Sequence, residues 1–442
     1  MALSGAEVGS LRDRSFERLS RGWGLVAPWL RHPQAPIAVL GLVLVCSLVS
    51  RTLHIGDPCS NPCASHTLIF DEAYYVDAAR VIDGIHPPAG DPYRTAPLGV
   101  DPNAEHPELA KLIVAGTIDL FGNDPWGWRL GSVMFGTVAL LAMFALVQGL
   151  GGGPWLAVGA TAVMAADNLF LVHGRIATLD IYALAMMLAA AALYVRRRPF
   201  LAGVLAGIAA CMKETALVVL LAFLLYELIL DSRRSRRTWT RLASCWATAV
   251  ASFVALLAVL EQVVAAYNPA THVRYQSPFT EIAHILAYGK ALTVLPHATG
   301  ISSSPWQWLV DQKPIPYAKV AENVLSGGHV LTSHILILFQ GEVNPFIMFI
   351  AIPALVIAVR GAWQGDRLDA FAVAWFLATF LPYVFLNTVE HRITYLYYVL
   401  SVMPAIYLAG ARLFARLGPA AIGGWGIALL AGLVDLYPIR SF

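Results

Sequence analysis

Long apolar runs separated by short polar segments dominate this chain from end to end. Many of the runs have the length of about 17 to 25 residues that an α-helix needs to cross a hydrocarbon core. We count about eleven runs, which predicts an all-α polytopic membrane protein with about 11 transmembrane helices. The predicted spans are roughly 34–51, 129–149, 155–172, 177–195, 199–212, 215–231, 242–266, 342–359, 368–388, 393–411 and 419–437.

The positions of the arginines decide how residues 199–231 are interpreted, since this region reads either as one broken helix or as two crossings. Arginine accumulates in cytoplasmic loops. The arginine clusters fall on one side only if the region crosses twice, which predicts a cytoplasmic N-terminus and an extracytoplasmic C-terminus. The arginines that follow the fourth, sixth, eighth and tenth spans are Arg196, Arg197, Arg198, Arg233, Arg234, Arg236, Arg237, Arg241, Arg360, Arg367, Arg412 and Arg416.

Two long segments, 52–128 and 267–341, then lie outside the membrane. The first contains two helix-like stretches, Glu72–Asp83 and Pro107–Phe121, and the second has an apolar face suited to the membrane interface. Both mix aromatic residues, proline and histidine with charges. We therefore expect two structured outer loops that cap a cavity at the membrane surface.

Composition agrees with this organisation, because only 13% of the residues are charged and 58% are hydrophobic, whereas soluble domains contain about 25% charged residues. The net charge of +2 is too small to indicate nucleic acid as a partner. Residues 1–33 are arginine-rich and lack a cleavage site, so we expect a cytoplasmic tail. Residues 34–437 form the predicted transmembrane domain, without a separate soluble domain.

Two of the five cysteines, Cys59 and Cys63, lie in the first outer loop. A disulfide between them is compatible with a loop that faces an oxidising space. Because no histidine pair lies near them, they are a weak zinc signal. The sequence indicates no certain cofactor; no metal site is expected, and a divalent metal stays open as an alternative.

Asp71 and Glu72 are adjacent acids at the membrane edge, where ionisable residues are costly and point to function. One interpretation is a helix N-terminus, where acids favour the helix dipole. The other is a general base or a metal-binding acid.

Further ionisable residues map to the same outer face. In the stretch that begins Glu105-His106-Pro107, proline marks a helix start. Its Lys111 is either an interfacial lysine or, with His106, a phosphate contact. Two pairs on this face, Arg175/Asp180 and Lys213/Glu214, are either ion pairs or site residues. The remaining outer groups are Arg129 at the head of the second span and Glu390-His391-Arg392.

In this order the motifs resemble those of the dolichyl-phosphate-mannose–protein mannosyltransferases, a family of the GT-C glycosyltransferase superfamily. The resemblance runs from about residue 66 to residue 412. The motifs are Phe70-Asp71-Glu72, Glu105-His-Pro-Glu-Leu-Ala-Lys111, Trp128-Arg129-Leu130 with Gly136, Arg175 with Asp180, Lys213, Ser303-Ser-Pro-Trp-Gln-Trp308 and Arg392-Ile-Thr-Tyr-Leu-Tyr-Tyr398. The departures from the family pattern are Glu108, Ala110 and Glu214. The β-trefoil domain that eukaryotic members insert in the second outer loop is missing, which leaves the acceptor open.

The resemblance implies a GT-C fold and a polyprenyl-phosphate-linked sugar, mannose above all, as the donor. It also implies transfer with inversion to a Ser/Thr hydroxyl of a secreted protein, on the extracytoplasmic face of a prokaryotic cell membrane. Asp71 is then the base, and Glu72 supports it or orients the loop helices. Phosphate contacts are expected from two or three of five cations while the rest hold the acids: Arg129, Arg175, Lys111, Lys213 and Arg392.

The resemblance also assigns supporting and acceptor residues. Glu105, His106 and Asp180 are expected to support the site, with Asp180 bonded to Arg175 or His106. The acceptor or the sugar headgroup is expected at Ser304, Trp306, Trp308 and Tyr395.

Three other functions compete with this one. A GT-C enzyme that acts on a glycan or lipid acceptor would share the acids and cations. A transporter or lipid flippase would place ionisable residues near the bilayer midplane, whereas these lie on one face. A non-catalytic scaffold subunit would lack Asp71.

Overall fold

The computed structural model of the chain describes residues 31–59, 66–230, 235–293, 300–310, 313–326 and 329–438. Most of the predicted N-terminal tail lies outside these residues, as do Cys63, Arg233 and Arg234. The helices of the described residues are α1 Ala35–Thr52, α2 Glu72–Ile82, α3 Leu109–Phe121, α4 Pro125–Gly149, α5 Gly153–Ala165, α6 Asn168–His173, α7 Leu179–Val195, α8 Pro199–Met212, α9 Val218–Leu230, α10 Arg236–Val263, α11 Pro278–Ala291, α12 Pro305–Trp308, α13 Pro345–Trp363, α14 Arg367–Thr388, α15 Met403–Leu417 and α16 Pro419–Asp435. The 3₁₀ helices are Glu214–Leu217 and Leu396–Ser401, and the strands are β1 Tyr267–Asn268, β2 Val273–Arg274, β3 Ile315–Ser326 and β4 His329–Gly341.

The helices coincide with the predicted apolar runs, so the helical membrane architecture is confirmed. Within the described residues, five helices are long and apolar enough to cross a membrane: α1, α4, α10, α13 and α14. Four further apolar helices, α5, α7, α8 and α16, have 10 to 17 residues. An α-helix rises 1.5 Å per residue, so a helix of 10 to 17 residues is shorter than the hydrocarbon core, which is about 30 Å thick. The count of eleven spans therefore stays a prediction.

Three predicted spans are not single α-helices in the structure. The third predicted span breaks at Ala166 and Asp167, between α5 and α6. The buried Asp167 carboxylate accepts a hydrogen bond from the backbone N–H of Asn344 (2.9 Å) and another from the Tyr407 hydroxyl (2.5 Å). Because these partners lie in α15 and just before α13, the break joins three parts of the core. The sixth and tenth predicted spans begin as 3₁₀ helices and continue as α9 and α15.

The two helices predicted in the first outer segment are present as α2 and α3. The second outer segment contains an element that the sequence analysis did not predict. Strands β3 and β4 pair antiparallel, with Ile315 opposite Gly341 at one end and three irregularities of register. Their sequences are rich in valine, isoleucine and leucine, which favour strands as well as apolar helices. Hydropathy alone therefore does not separate a hairpin from an interfacial segment.

A glycine allows α1 and α4 to be joined through a buried arginine. A Cβ atom at Gly136 of α4 would lie 2.0 Å from the Arg51 guanidinium. That buried guanidinium, at the end of α1, donates to the Val133 carbonyl (2.8 Å) and the Thr137 hydroxyl (2.9 Å). Gly136 therefore makes room for the arginine that fastens α1 to α4. Glycines serve close helix packing of this kind in membranes.

Candidate active site

A cavity of about 410 Å³ opens where the first outer segment meets the ends of the transmembrane helices. Asp71 and His106 line it from the first outer segment, Lys213 from the turn after α8, and Tyr288 from α11. Arg392 and the aromatic residues that follow it line another wall. The cavity thus contains one carboxylate from the motif Phe70-Asp71-Glu72 together with the cations Lys213 and Arg392 and the His106 imidazole, which come from three separate motifs.

The adjacent acids Asp71 and Glu72 have different environments. Asp71 lies at the N-cap position of α2 but its side chain makes no capping hydrogen bond. It lines the cavity close to the Tyr397 hydroxyl, which lowers its pKa slightly. Both acids therefore lie at a helix N-terminus, as one interpretation expected, although Asp71 does not cap the helix through a side-chain hydrogen bond.

Glu72 points away from the cavity into the protein and is completely buried. Its carboxylate accepts two hydrogen bonds of 2.8 Å from the Arg129 guanidinium. It also accepts hydrogen bonds of 2.8 Å from the backbone N–H groups of Ile69 and Ala177. A carboxylate with four such partners has no free position for a substrate, so Glu72 joins α2 to α4 and to the turn before α7.

Phe70 fixes the start of α2. Its φ of 53° lies in the left-handed region, which is uncommon for a bulky residue and marks backbone strain. The ring stacks on Tyr317 with the centroids 4.3 Å apart. This contact with β3 compensates the strain and holds the following residue, Asp71, at the cavity wall.

Burial raises the pKa of Asp71 to about 6, although the nearby ammonium group of Lys213 acts in the opposite direction. The neighbouring Asp180 carboxylate raises this pKa further, and His106 lowers it. At neutral pH most Asp71 side chains are therefore ionised, and each is a stronger base than an ordinary aspartate. This is the property that a general base requires.

Two cationic side chains, Lys213 and Arg392, line the cavity with Asp71 and the imidazole of His106. The Lys213 ammonium lies 2.7 Å from Asp180 Oδ1, and His106 Nδ1 lies 2.9 Å from Glu214 Oε2. The Arg392 guanidinium makes no hydrogen bond or ion pair with any residue in the described part of the chain, and its Nε is buried without a partner. Arg392 is therefore the cation that is most available to a bound anion.

Arg129 and Arg175 do not line the cavity. Arg129 donates to Glu72 and to the backbone carbonyls of Ile55 and Asp57. Arg175 is buried, donates to the carbonyls of Leu53 and His54 at 3.1 and 2.9 Å, and faces the ring of Phe339. Both guanidinium groups therefore hold the segment that follows α1 instead of facing a ligand.

Lys111 is also turned inward. Its buried ammonium lies 2.5 Å from Asp101 Oδ2 and donates to the carbonyls of Asn103 (2.5 Å) and His106 (2.7 Å). Asn103 in turn donates to Glu105, which lines the cavity. Lys111 therefore shapes the loop that presents Glu105 and His106.

The expected bond between Asp180 and Arg175 or His106 is wrong. Asp180 is bonded to Lys213, and His106 to Glu214. Glu214 replaces the tryptophan of the family pattern. It gives His106 a carboxylate partner that the sequence comparison did not indicate.

The four residues expected to contact the acceptor have four different environments. Tyr395 lines the cavity, whereas Trp306 is 53% exposed and does not. Trp308 is buried and donates to the Ser303 hydroxyl at 3.0 Å. Ser304 belongs to a capping box with Gln307 that begins α12. Only Tyr395 of the four acceptor candidates therefore faces the cavity.

Several cavity residues were not singled out from the sequence. Tyr397 and Tyr398 lie in the motif after Arg392, and the density of tyrosines there was the available signal. Tyr93 and Tyr288 reach the cavity from distant segments without any motif.

Cys59, one of the two cysteines of the first outer segment, is disulfide-bonded. Cys63, its expected partner, lies outside the described residues.

Comparison with known proteins adds to this geometry. A family model described as dolichyl-phosphate-mannose-protein mannosyltransferase matches residues 105–261. A polyprenol-phosphate-mannose–protein mannosyltransferase of Corynebacterium glutamicum is 24% identical over 426 residues, which cover 82% of this chain and 79% of that protein. A protein of the same name from Mycolicibacterium smegmatis is 24% identical over 436 residues, covering 84% and 80%.

Two solved structures show the same fold. The protein O-mannosyltransferase Pmt1-Pmt2 complex of Saccharomyces cerevisiae, bound to the sugar donor, matches with a TM-score of 0.65, 12% identity and coverage of 91% of this chain and 90% of that chain. ArnT from Cupriavidus metallidurans, bound to undecaprenyl phosphate, matches with a TM-score of 0.56 and 16% identity, covering 89% and 62%. The GT-C fold and the resemblance to the mannosyltransferase family are confirmed.

Proposed function

We propose that this chain transfers a sugar, mannose above all, from a polyprenyl-phosphate donor to a Ser/Thr hydroxyl of a protein. The curated relatives carry the name of this activity. The observation that carries the proposal is the position of Asp71, a carboxylate of raised pKa in a cavity that also contains Lys213 and Arg392. A base and phosphate-binding cations in one cavity are what this reaction needs.

Asp71 is the general base of the proposed reaction. The acceptor hydroxyl oxygen attacks the anomeric carbon of the donor while its proton passes to the Asp71 carboxylate. The bond between the anomeric carbon and the phosphate oxygen breaks, and its electron pair leaves with the polyprenyl phosphate. This single displacement inverts the anomeric centre.

Arg392 and Lys213 stabilise the departing phosphate. Charge that develops on a leaving group is best met by preorganised donors in a site with little water. The Arg392 guanidinium offers a planar fork without a competing partner, and such forks bind phosphate oxygens in pairs. Lys213 adds a point charge that Asp180 holds in place.

The other assigned residues position these groups. Glu72 and Arg129 fix the start of α2, Arg175 fixes the segment after α1, and Lys111 fixes the loop that carries Glu105 and His106. Glu105, His106 and Tyr395 line the cavity and contact the sugar or the acceptor. In this assignment two of the five expected cations contact phosphate and the other three are structural.

We place the cavity on the extracytoplasmic face of the membrane and assign residues 34–437 to one catalytic domain. The arginine-rich ends of α7 and α10 lie at the opposite ends of the helices from the cavity. Since arginine marks the cytoplasmic side, the cavity faces outward, where secreted proteins are available.

The test is transfer by the purified chain in detergent or in liposomes. Radiolabelled polyprenyl-phosphate-mannose and a Ser/Thr-rich peptide are supplied, and label on the peptide is measured. An Asp71→Asn variant is the matched control and should give no label. Label found only on an added glycan or lipid would favour the alternative acceptor class. Movement of labelled lipid across liposomes without any transfer would favour a flippase.

A further inference from the structure

A second cavity of about 410 Å³ lies at the other end of the molecule. Helices α7, α9 and α14 reach the candidate active site at one end and this second cavity at the other. It lies between the C-terminal ends of α7 and α9 and the N-terminal ends of α10 and α14. Nothing in the proposed reaction uses it.

Positive charge dominates the lining of this second cavity. Among the described residues that line it, four are arginines and Glu227 is the only carboxylate. The arginines are Arg197, Arg237, Arg241 and Arg367. This is an unusual concentration of like charge for a chain with only 13% charged residues.

Two of these arginines are engaged within the protein. Arg241 forms an ion pair with Glu227 and lies over the ring of Tyr194. Arg367 donates to the Tyr226 hydroxyl at 3.3 Å and to a backbone carbonyl. Glu227 is thereby neutralised, so it does not compensate the charge of the remaining two.

Arg197 and Arg237 make no side-chain hydrogen bond or ion pair with the residues that the structure describes. They approach the cavity from different segments, Arg197 just after α7 and Arg237 in the first turn of α10. The Tyr226 hydroxyl lies in the same lining. Unpaired guanidinium groups beside a hydroxyl match an oxyanion such as phosphate.

The surroundings favour a lipid as the source of that phosphate. Trp239 of α10 is 46% exposed and Trp246, two turns further along, is 40% exposed. Exposed tryptophans near the end of an apolar helix mark the membrane interface. Basic pockets between helices at the cytoplasmic surface suit the headgroups of anionic lipids.

We propose that this second cavity binds the phosphate of an anionic phospholipid headgroup, with Arg197 and Arg237 as its principal contacts. Its volume lies within the range of ligand sites and accommodates a glycerophosphate group. The acyl chains would extend along α10 as far as its middle, where the apolar residue Val250 is exposed.

Binding of phosphatidylglycerol to the full chain in neutral detergent tests this proposal. The variant is Arg197→Gln/Arg237→Gln. The matched control is Arg198→Gln/Arg236→Gln, which removes two exposed arginines that are neighbours in sequence but do not line the cavity. Because both guanidinium groups would lose their charge-assisted hydrogen bonds to the phosphate, the variant should bind phosphatidylglycerol at least about 30-fold more weakly. The control should stay within about twofold of the unaltered chain.

Three outcomes would overturn the proposal. An equal loss in both double variants would mean that diffuse surface charge, not the cavity, attracts the lipid. Equal affinity for phosphatidylcholine would mean that headgroup charge is not recognised. Displacement of phosphatidylglycerol by millimolar inorganic phosphate would identify free phosphate as the ligand. Circular dichroism of both variants verifies that they are folded, and an unfolded variant is replaced by Arg197→Lys/Arg237→Lys, for which weaker but measurable binding is expected.

Discussion

The Lys213 ammonium lies 2.7 Å from the Asp180 carboxylate and faces the rings of Tyr397 and Tyr398 at 5.8 and 6.0 Å. Asp180 lies in the first turn of α7 and Lys213 directly follows α8, so the pair ties these two apolar helices together beside the cavity. The same ammonium group lowers the pKa of Asp71. An interhelical ion pair thereby adjusts the proposed base.

The activity should depend on pH through Asp71. Burial raises the pKa of Asp71 to about 6, and the base must be ionised to act. Since kcat/KM reports the free enzyme, kcat/KM should rise with pH through about 6 and then level. Lys213→Gln removes a cation that lowers this pKa, so the rise should move to higher pH. Lys213→Arg should leave its position unchanged, and a Lys213→Gln profile with an unshifted rise would contradict the assignment.

The two acids of the first motif should respond differently to substitution. Asp71→Asn should reduce transfer by roughly 10²–10⁴-fold because an amide does not accept the proton, while the unfolding midpoint stays unchanged. Glu72→Gln should reduce stability by about 3–5 kcal/mol because Arg129 is left buried without its counter-ion. Thermal unfolding in detergent and initial rates measure both effects, and Asp119→Asn on the exposed face of α3 serves as the control. Near-normal turnover of Asp71→Asn would remove it from the role of base.

Arg392 should determine donor affinity. Arg392→Gln should weaken binding of the polyprenyl-phosphate sugar by about tenfold or more, since charge-assisted hydrogen bonds contribute about 1.5–3 kcal/mol. Arg392→Lys should recover part of the affinity, because the charge returns without the fork. Equilibrium binding of labelled donor measures this effect, with Arg94→Gln, an exposed arginine of the first outer segment, as the control. Unaltered binding by Arg392→Gln would transfer the phosphate role to Lys213.

A buried group of carboxyls should make stability depend on pH. Glu108 at the start of α3, Glu281 of α11 and Glu261 of α10 lie together, with Asp101 and Lys111 beside them. Burial is the main cause that raises the pKa of Glu108 to about 8, and the negative charge of Asp101 is the second. Burial is also the main cause that raises the pKa of Glu281 to about 10, and the negative charge of Glu108 is the second.

Raised pKa values stabilise the folded state at low pH, because the folded protein binds protons more tightly than the unfolded one. This contribution is complete below the ordinary glutamate pKa of 4.5 and is lost as the pH rises through about 8 and then about 10. The unfolding midpoint in detergent should therefore fall between pH 6 and 10. Glu281→Gln should flatten this fall, whereas Glu390→Gln, an exposed acid, should not. A midpoint that is independent of pH in the unaltered chain would refute the effect.

The orientation in the membrane can be tested by cysteine labelling. Ala89 is exposed in the first outer segment and Arg236 is exposed at the start of α10. In intact cells Ala89→Cys should react with an impermeant thiol reagent, and Arg236→Cys should react only after the membrane is permeabilised. The reverse pattern would place the cavity on the cytoplasmic side and remove the proposed acceptor.

The amino-acid sequence by itself determined the helices and the set of chemical groups. Apolar runs fixed α1, α4, α8 and α14 to within a few residues, because the length of an apolar run and the helix period are local properties. The motif residues identified the cavity's Asp71, His106, Lys213 and Arg392 for the same reason. They follow one another in recognisable spacings that do not depend on the packing around them.

Only the tertiary structure decided which acid and which cations face the cavity. Asp71 and Glu72 are neighbours, yet a step of about 100° around the start of a helix turns one toward the ligand space and the other toward Arg129. Arg129 is 57 residues from Glu72, and Lys213 is 33 residues from Asp180. Residues so far apart in sequence become neighbours only through the packing of whole helices. The ion pairs therefore form only when the helices are packed as in the folded protein. The sequence therefore named the participants, and the packing of the helices assigned their roles.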